Sequence, residues 1–242
     1  MGQGEQTDRA HWSRVADQWI AWARSPGHDA FWGYQERLRA FVGEGPGEAI
    51  EVGCGEGRVS RLLRSLGWRI TATDVSPGLL EAAKAADSAD AYALAPVTAL
   101  PFPDASFDLA VSYNMLMDVE DVPGAARELR RVLRPQGTLL VSIVHPTADL
   151  VHFADDGRTL FDQPYFGRKR FDSVDERDGL RMEFGGWSQP LEAYTLALEA
   201  AGFAITALRE PVPDPGAGDA LARWTRLPLF LWLKARPLGD AA

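Results

Sequence analysis

The loop Glu51-Val52-Gly53-Cys54-Gly55-Glu56-Gly57 joins a short apolar run to a segment of helical character, and Asp74 closes the next β-branched run. Glycines at this spacing let the chain turn sharply and let a ligand lie against bare backbone. An acid about 20 residues beyond the first glycine can accept the two hydroxyls of a ribose. Glu51, just ahead of the glycines, can meet an ammonium group. A tight structural turn has the same composition, and a dinucleotide enzyme has a related one. The dinucleotide pattern needs its third glycine one residue later, where this chain has Arg58. A pyrophosphate also prefers a helix N-terminus free of negative charge, whereas Glu51 and Glu56 flank this loop. A cationic amino-acid ligand suits it better.

These residues need strands to carry them, and residues 48–144 alternate between strand-like and helix-like patterns, which favours a parallel sheet covered on both faces. Strands are expected at 49–52, 70–73, 91–94, 107–112 and 138–144, with helices at 58–66, 77–86 and 122–133. In the last helix Val122, Ala125, Ala126, Leu129 and Leu133 recur at helical spacing, and Pro135-Gln136-Gly137 ends it. Residues 145–188 break the rhythm and have no sustained period. Pro190 suits the first turn of a helix running to 201, with Gly202 just past it. Strands at 204–208 and 227–233 complete the plan. The expectation is an α/β, Rossmann-like, seven-stranded, mostly parallel sheet with helices on both faces, in one domain. Residues 1–47 would form an N-terminal helical lid, 48–145 the cofactor-binding core, 146–189 a substrate-cap insertion after the fifth strand, and 190–242 the rest of the sheet.

Composition narrows the partners. The 242 residues are 46% apolar and 24% charged, which is ordinary for a folded domain and argues against disorder. A formal net charge of −9 repels phosphate backbones, and no Lys/Arg stripe overcomes it, so nucleic acid is excluded as a partner. The one cysteine, Cys54, allows no internal disulfide and no multi-cysteine zinc site, and no metal is expected. It reads as a small buried residue between glycines rather than a nucleophile, because no histidine lies nearby in sequence to make a thiolate. The polar start lacks the apolar core of a signal peptide, and no run is long enough to span a bilayer. A cytoplasmic protein without membrane contact follows, as a monomer or homodimer.

Four segments, in order, carry a resemblance. Glu51 to Arg61, Thr73-Asp74-Val75-Ser76-Pro77, Ala99-Leu100-Pro101-Phe102-Pro103-Asp104-Ala105-Ser106-Phe107-Asp108 and Arg131-Val132-Leu133-Arg134-Pro135-Gln136-Gly137-Thr138-Leu139 look like class I S-adenosylmethionine-dependent methyltransferases. The likeness spans residues 49–145 and is strongest to the small-molecule branch with a methyltransf_11-type core. It implies S-adenosyl-L-methionine as cofactor, with Gly53, Gly55 and Gly57 along its methionine and ribose portion and Asp74 on the ribose hydroxyls. Val75 would pack on the adenine, Thr98 and Ala99 would form the adenine-edge loop, and Tyr113 would sit beneath the cofactor. N-terminal helices in the family form a lid with an aromatic such as Trp19 near the methionine end. Arg24 could pair with the cofactor carboxylate or make a surface salt bridge. The family's usual adenine-contacting Asp is Pro96 here, so that contact must come from backbone or a neighbour.

Methyl transfer is an in-line displacement at an activated carbon, so the protein mainly aligns the nucleophile and excludes water. His145, just beyond the fifth strand, is the leading candidate for a base, since histidine titrates near neutrality; a strand-capping role is the alternative. His28, Trp32, Asn114, Met117 and Tyr165 are the candidate substrate contacts. The expected reaction is methylation of a small molecule, an aromatic or heteroaromatic metabolite at O, N or C in bacterial specialised metabolism. A catalytically silent S-adenosylmethionine-binding regulator is the alternative, and an NAD-dependent oxidoreductase a weaker one.

Overall fold

The computed structural model describes residues 3–154, 158–161 and 163–239, with backbone alone over 3–7. Two helices open the chain, α1 (Gln3–Arg14) and α2 (Ala16–Arg24), followed by α3 (Gln35–Val42). The alternating part then runs β1 (Glu48–Val52), α4 (Arg58–Ser65), β2 (Arg69–Asp74), α5 (Pro77–Ala85), β3 (Ala91–Leu94), β4 (Phe107–Tyr113), α6 (Val122–Val132) and β5 (Leu133–Val144). Four strands follow in pairs, β6 (Val151–Phe153) with β7 (Thr159–Phe161), and β8 (Lys169–Arg177) with β9 (Leu180–Ser188). The chain closes with α7 (Leu191–Ala200), β10 (Phe203–Arg209) and β11 (Phe230–Pro237).

Seven strands form one sheet in the order β10-β11-β5-β4-β1-β2-β3, with β11 antiparallel to both neighbours and the others parallel. This is the Rossmann-like, seven-stranded, mostly parallel plan that the sequence implies. Alternation along β1 divides its side chains between two cores: Ile50 and Val52 pack with α6 and α7, Ala49 with α3, α4 and α5. Glu51 shares the second face, a buried acid in an otherwise apolar strand. The order reverses between β1 and β4, so the carboxyl ends of β1, β2 and β4 open onto a common crevice, where ligands bind in open α/β sheets.

Two strand boundaries differ from expectation. The helix expected to end at Pro135-Gln136-Gly137 stops at Val132, and β5 begins at Leu133. It pairs Leu133 with Phe107, slips, and resumes regular pairing at Thr138 against Leu109. The last strand starts at Phe230 and continues to Pro237, beyond the expected 233, because β11 is paired on both edges and tolerates Lys234 and Arg236 within it. Those charges hid its second half in an apolar-run reading.

Residues 169–188 are the larger departure, a regular hairpin where no period was legible. Asp178 and Gly179 at its tip have φ of +49° and +78°, as the two central residues of a type I′ turn require. Its strand β9 packs Met182 and Phe184 onto Val15, Trp19 and Trp22 of the N-terminal segment. Helices α1 and α2 and this hairpin thus form one apolar layer above the crevice.

Candidate active site

The glycine loop leaves β1 with Gly53 at φ +67° and Gly55 at φ +56°, conformations that a Cβ strains. Space is also missing: a Cβ on Gly55 would lie 2.9 Å from Trp19 Nε1, and one on Gly53 would run into the Met115 side chain. The loop is anchored by Asp74 at the end of β2, whose carboxylate accepts from the amides of Gly55 and Ser76, both at 2.8 Å. Burial pushes Asp74 up to about 6, opposed by those amides. Glu51 accepts from Ser60 Oγ, and burial pushes it up to about 8 against the pull of Ser60 and Arg58. Cys54 is buried, and its thiol is pushed well above the ordinary range by burial and by Asp74 and Glu51. A thiol so surrounded is not a nucleophile.

Above these residues lies a cavity of about 500 Å³. Its wall includes Trp19, Gly53, Gly55, Asp74, Val75, Thr98 and Tyr113 of the expected cofactor residues, and His28, Asn114 and Met117 of the expected substrate contacts. Pro96 and Val97 line it too. Tyr113 sits edge-on to Phe31 at 5.9 Å; its hydroxyl is buried without a hydrogen-bond partner among the described residues, and burial pushes its pKa up. Asn114, at φ +50°, accepts from Ser142 Oγ at 2.7 Å and so holds the ends of β4 and β5 together while lining the cavity. Met117 Sδ accepts from the amide of Val144 at 3.4 Å.

Six expected residues are not brought to the cavity wall. Gly57 faces away from it, and a Cβ there would meet Ser88 and Ala83. Arg24 gives Nε to the buried Glu56 at 3.0 Å and Nη2 to the carbonyl of Ala82 at 3.1 Å, which is the salt-bridge role. Ala99 closes the turn made by Val97 and Thr98, its amide bonded to the Pro96 carbonyl at 3.1 Å. Trp32 donates Nε1 to the Ala23 carbonyl at 2.9 Å, and Tyr165 Oη accepts from the amide of Leu191 at 3.2 Å. His145 is turned away with both ring nitrogens engaged. Nδ1 accepts from the amide of Thr147 at 3.1 Å, which leaves Nε2 to donate to Glu210 at 3.1 Å. Burial lowers its pKa and Glu210 opposes this. The geometry is that of a strand-end cap.

Arg58 and Asp118 are charged wall residues to which the sequence assigns no role. Arg58, first residue of α4, is 8% exposed; its guanidinium lies 4.8 Å above Trp19 and 5.1 Å from the centre of Phe31. Nη1 is 3.0 Å from Asp29 Oδ2, an ion pair without hydrogen-bond geometry, and makes no hydrogen bond among the described residues. The signal was its place directly after the glycines. Asp118, on the turn after β4, is 9% exposed and faces the same cavity. A lone acid in a loop of Met and Leu carries no periodic signal.

This wall fits S-adenosylmethionine. Gly53 and Gly55 leave backbone bare where a side chain would intrude, Asp74 keeps acceptor capacity beside them, and the Glu51 carboxyl and the Arg58 guanidinium face an amino acid's ammonium and carboxylate, the ammonium drawing the proton off Glu51. Among the described residues no cluster of His, Cys, Asp and Glu could hold a metal ion, and no helix is long and apolar enough to cross a membrane.

Comparison with known proteins agrees. Residues 50–141 match the family model Methyltransf_11, described as a methyltransferase domain. A malonyl-[acyl-carrier protein] O-methyltransferase of Serratia marcescens is 40% identical over 108 residues, 44% of this chain and 42% of that protein. The chain thus matches less than half the length of this curated relative. An S-adenosylmethionine-dependent methyltransferase from Mesorhizobium loti has 26% identity and a TM-score of 0.66, covering 88% of this chain and all of that one. The [4+2]-cyclase SpnF shares the fold at TM-score 0.64 and 21% identity, over 98% of both chains. Sheet order, glycine loop and the match over residues 50–141 together identify this part of the chain as a class I methyltransferase domain whose cofactor is S-adenosyl-L-methionine.

Proposed function

We propose that this chain transfers a methyl group from S-adenosylmethionine to a small molecule held in the cavity. The observation that carries the reading is the convergence of Gly53, Gly55, Asp74, Thr98 and Tyr113 on one wall with Glu51 and Arg58. Asp74 would take the ribose hydroxyls with the lone pairs its two amides leave free. Glu51 would hold the ammonium and Arg58 the carboxylate, replacing Arg24 in that role. Val75, Pro96, Val97 and Thr98 would bracket the adenine. The bound cofactor supplies a methyl carbon activated by a positive sulfur. The protein's part is to align an acceptor and exclude water, and the apolar layer of α1, α2 and the β8–β9 hairpin serves the second task.

The relatives' malonyl substrate is theirs, and an aromatic or heteroaromatic metabolite is equally a proposal for this chain. A cyclase on the same fold shows why transfer itself must be measured, since a fold does not fix a reaction. Calorimetry with S-adenosylhomocysteine and with NAD tests the cofactor. Labelled S-adenosylmethionine offered with a metabolite extract tests the transfer. Binding of NAD without S-adenosylhomocysteine sinks the reading; cofactor binding with no labelled product from any extract leaves a silent binding protein.

A further inference from the structure

We propose that the acceptor is a neutral phenol-like hydroxyl compound, and that Asp118 receives its hydroxyl and takes the proton as the methyl group is transferred. This rests on the methyltransferase reading above and names its acceptor atom and its base.

The placement of Asp118 is the first support. It ends the 3-10 turn Leu116–Asp118 beyond β4, and its amide bonds to the Met115 carbonyl at 2.8 Å. Met115 is the side chain that a Cβ on Gly53 would strike, so this turn is packed against the glycine loop. The lid lies on its other side, where a Cβ on Gly186 of β9 would come within 2.8 Å of Asp118 Oδ1. The carboxyl is thus held between the loop that would carry the methionine portion of the cofactor and the hairpin that keeps water out. It is nine-tenths buried and lines the cavity, and among the described residues no hydrogen bond reaches it.

The surroundings set what it can receive. Burial acts most strongly on Asp118 and favours the protonated carboxyl; Asp8 of α1 and Asp74 at the end of β2 act in the same sense, and Arg170 of β8 opposes them. Asp8 and Asp149 share the wall and are each pushed up to about 6, but the Glu120 amide and the Ser188 side chain already bond to them. Tyr194 of α7 lies near enough to feel both Asp118 and Asp149. A hydroxyl matches Asp118 in either state: it donates to a carboxylate, and it donates to and accepts from a neutral carboxyl. A carboxylate acceptor would add like charge to a wall that already carries these acids. Trp12, Trp22, Phe171 and Phe184 supply the apolar faces for a ring bearing that hydroxyl.

A hydroxyl is a weak nucleophile until its proton has somewhere to go. His145 is turned away, whereas Asp118 faces the cavity. A lone pair of the hydroxyl oxygen forms the new C–O bond while the C–S bond breaks and its electron pair returns to sulfur. The O–H proton passes to the ionised Asp118 carboxylate, and from there to solvent when the product leaves. A carboxylate lifted toward neutrality is a stronger base than one at its ordinary value. The reactive form is the ionised one, so kcat/KM should rise with pH and then level off.

The test uses the full chain, first shown by calorimetry to bind S-adenosylhomocysteine. Turnover is then followed with S-adenosylmethionine and three acceptors: 4-methylphenol, 4-nitrophenol and S-malonyl-N-acetylcysteamine. We expect O-methylation of 4-methylphenol with an acid limb in kcat/KM. Asp118→Asn should keep the affinity for S-adenosylhomocysteine, lose that limb and slow 4-methylphenol by about a hundredfold or more. 4-Nitrophenol is already ionised in mildly alkaline buffer and needs no base, so the same variant should slow it less than tenfold. Asp149→Asn should retain the limb. Should Asp118→Asn not fold, Asp118→Ser removes the carboxylate and reads the same effect. Equal losses with both phenols would mark a structural role. A limb that survives loss of Asp118, or vanishes with Asp149→Asn, puts the base elsewhere. Methylation of the malonyl thioester ahead of the phenols, or of neither phenol, removes the hydroxyl acceptor. Each of these results overturns the proposal. Failure to bind S-adenosylhomocysteine at all overturns the cofactor reading first, and this one with it.

Discussion

Arg58 Nη1 lies 3.0 Å from Asp29 Oδ2, with the arginine side chain 8% and the aspartate side chain 12% exposed. Asp29 also accepts the amide of Phe31 at 2.7 Å, so the pair ties the lid connection to the helix that leaves the glycine loop. Breaking such a pair is costly, about 3–5 kcal/mol when one partner is left charged and alone. Arg58→Ala would therefore confound binding with unfolding. Arg58→Lys keeps the charge but loses the planar fork and the stacking on Trp19. We expect it to fold and to bind S-adenosylhomocysteine at least tenfold more weakly. Calorimetry beside a thermal melt separates the two effects; an unchanged affinity removes Arg58 from the cofactor carboxylate.

Glu51 makes pH a readout. Burial keeps its proton on until about pH 8 in the folded chain, against an ordinary value of 4.5 in the unfolded one. The folded state binds more protons across that window, so stability should fall as pH rises from about 4.5 to 8. Glu51→Gln removes the titration while keeping an acceptor for Ser60. It should melt higher than the parent at pH 8 and above, and differ little near pH 4. Because an ammonium draws the proton off Glu51, cofactor binding near neutrality should release a proton that the variant does not. Calorimetry in buffers of different ionisation enthalpy measures this directly.

The cofactor half was legible because its constraints are local. Glycines at positive φ, an acid closing β2 and periodic apolar helices each leave a mark within a few residues. The acceptor half depends on contacts between distant segments. Trp32 and Tyr165 looked like pocket aromatics but spend their polar atoms on the backbone of Ala23 and Leu191. Sequence leaves Arg24 open between the cofactor carboxylate and a salt bridge, and the buried carboxylate of Glu56 takes it. The β8–β9 hairpin did carry its signal, Asp178-Gly179, but charges on the exposed strand β8 masked the alternation around it.

His145 illustrates how partners decide a role. Its two nitrogens close the turn at Thr147 and reach Glu210 beyond β10, leaving no lone pair for a substrate proton. His145→Ala should cost about 1–2 kcal/mol of stability, the scale of one charged and one neutral hydrogen bond. Its affinity for S-adenosylhomocysteine and the pH dependence of any methyl transfer should match the parent. A pH profile that loses a limb near neutrality would restore the histidine as a base.

The hairpin tip and the lid connection hold each other. Arg177 donates to the Gly27 carbonyl at 2.7 Å and lies 5.3 Å over Trp22, while its own carbonyl takes His28. The turn beneath depends on Gly179, whose φ of +78° disfavours any side chain although nothing crowds the position. Gly179→Ala therefore acts on backbone conformation alone, at about 1 kcal/mol. Amide exchange in β8, β9 and α2 should then speed up by about fivefold, the factor that 1 kcal/mol gives a local opening equilibrium, while β1, β4 and β5 exchange as before. Equal acceleration throughout would mean that the hairpin and lid open only with the whole fold, and that the cavity has no separate door.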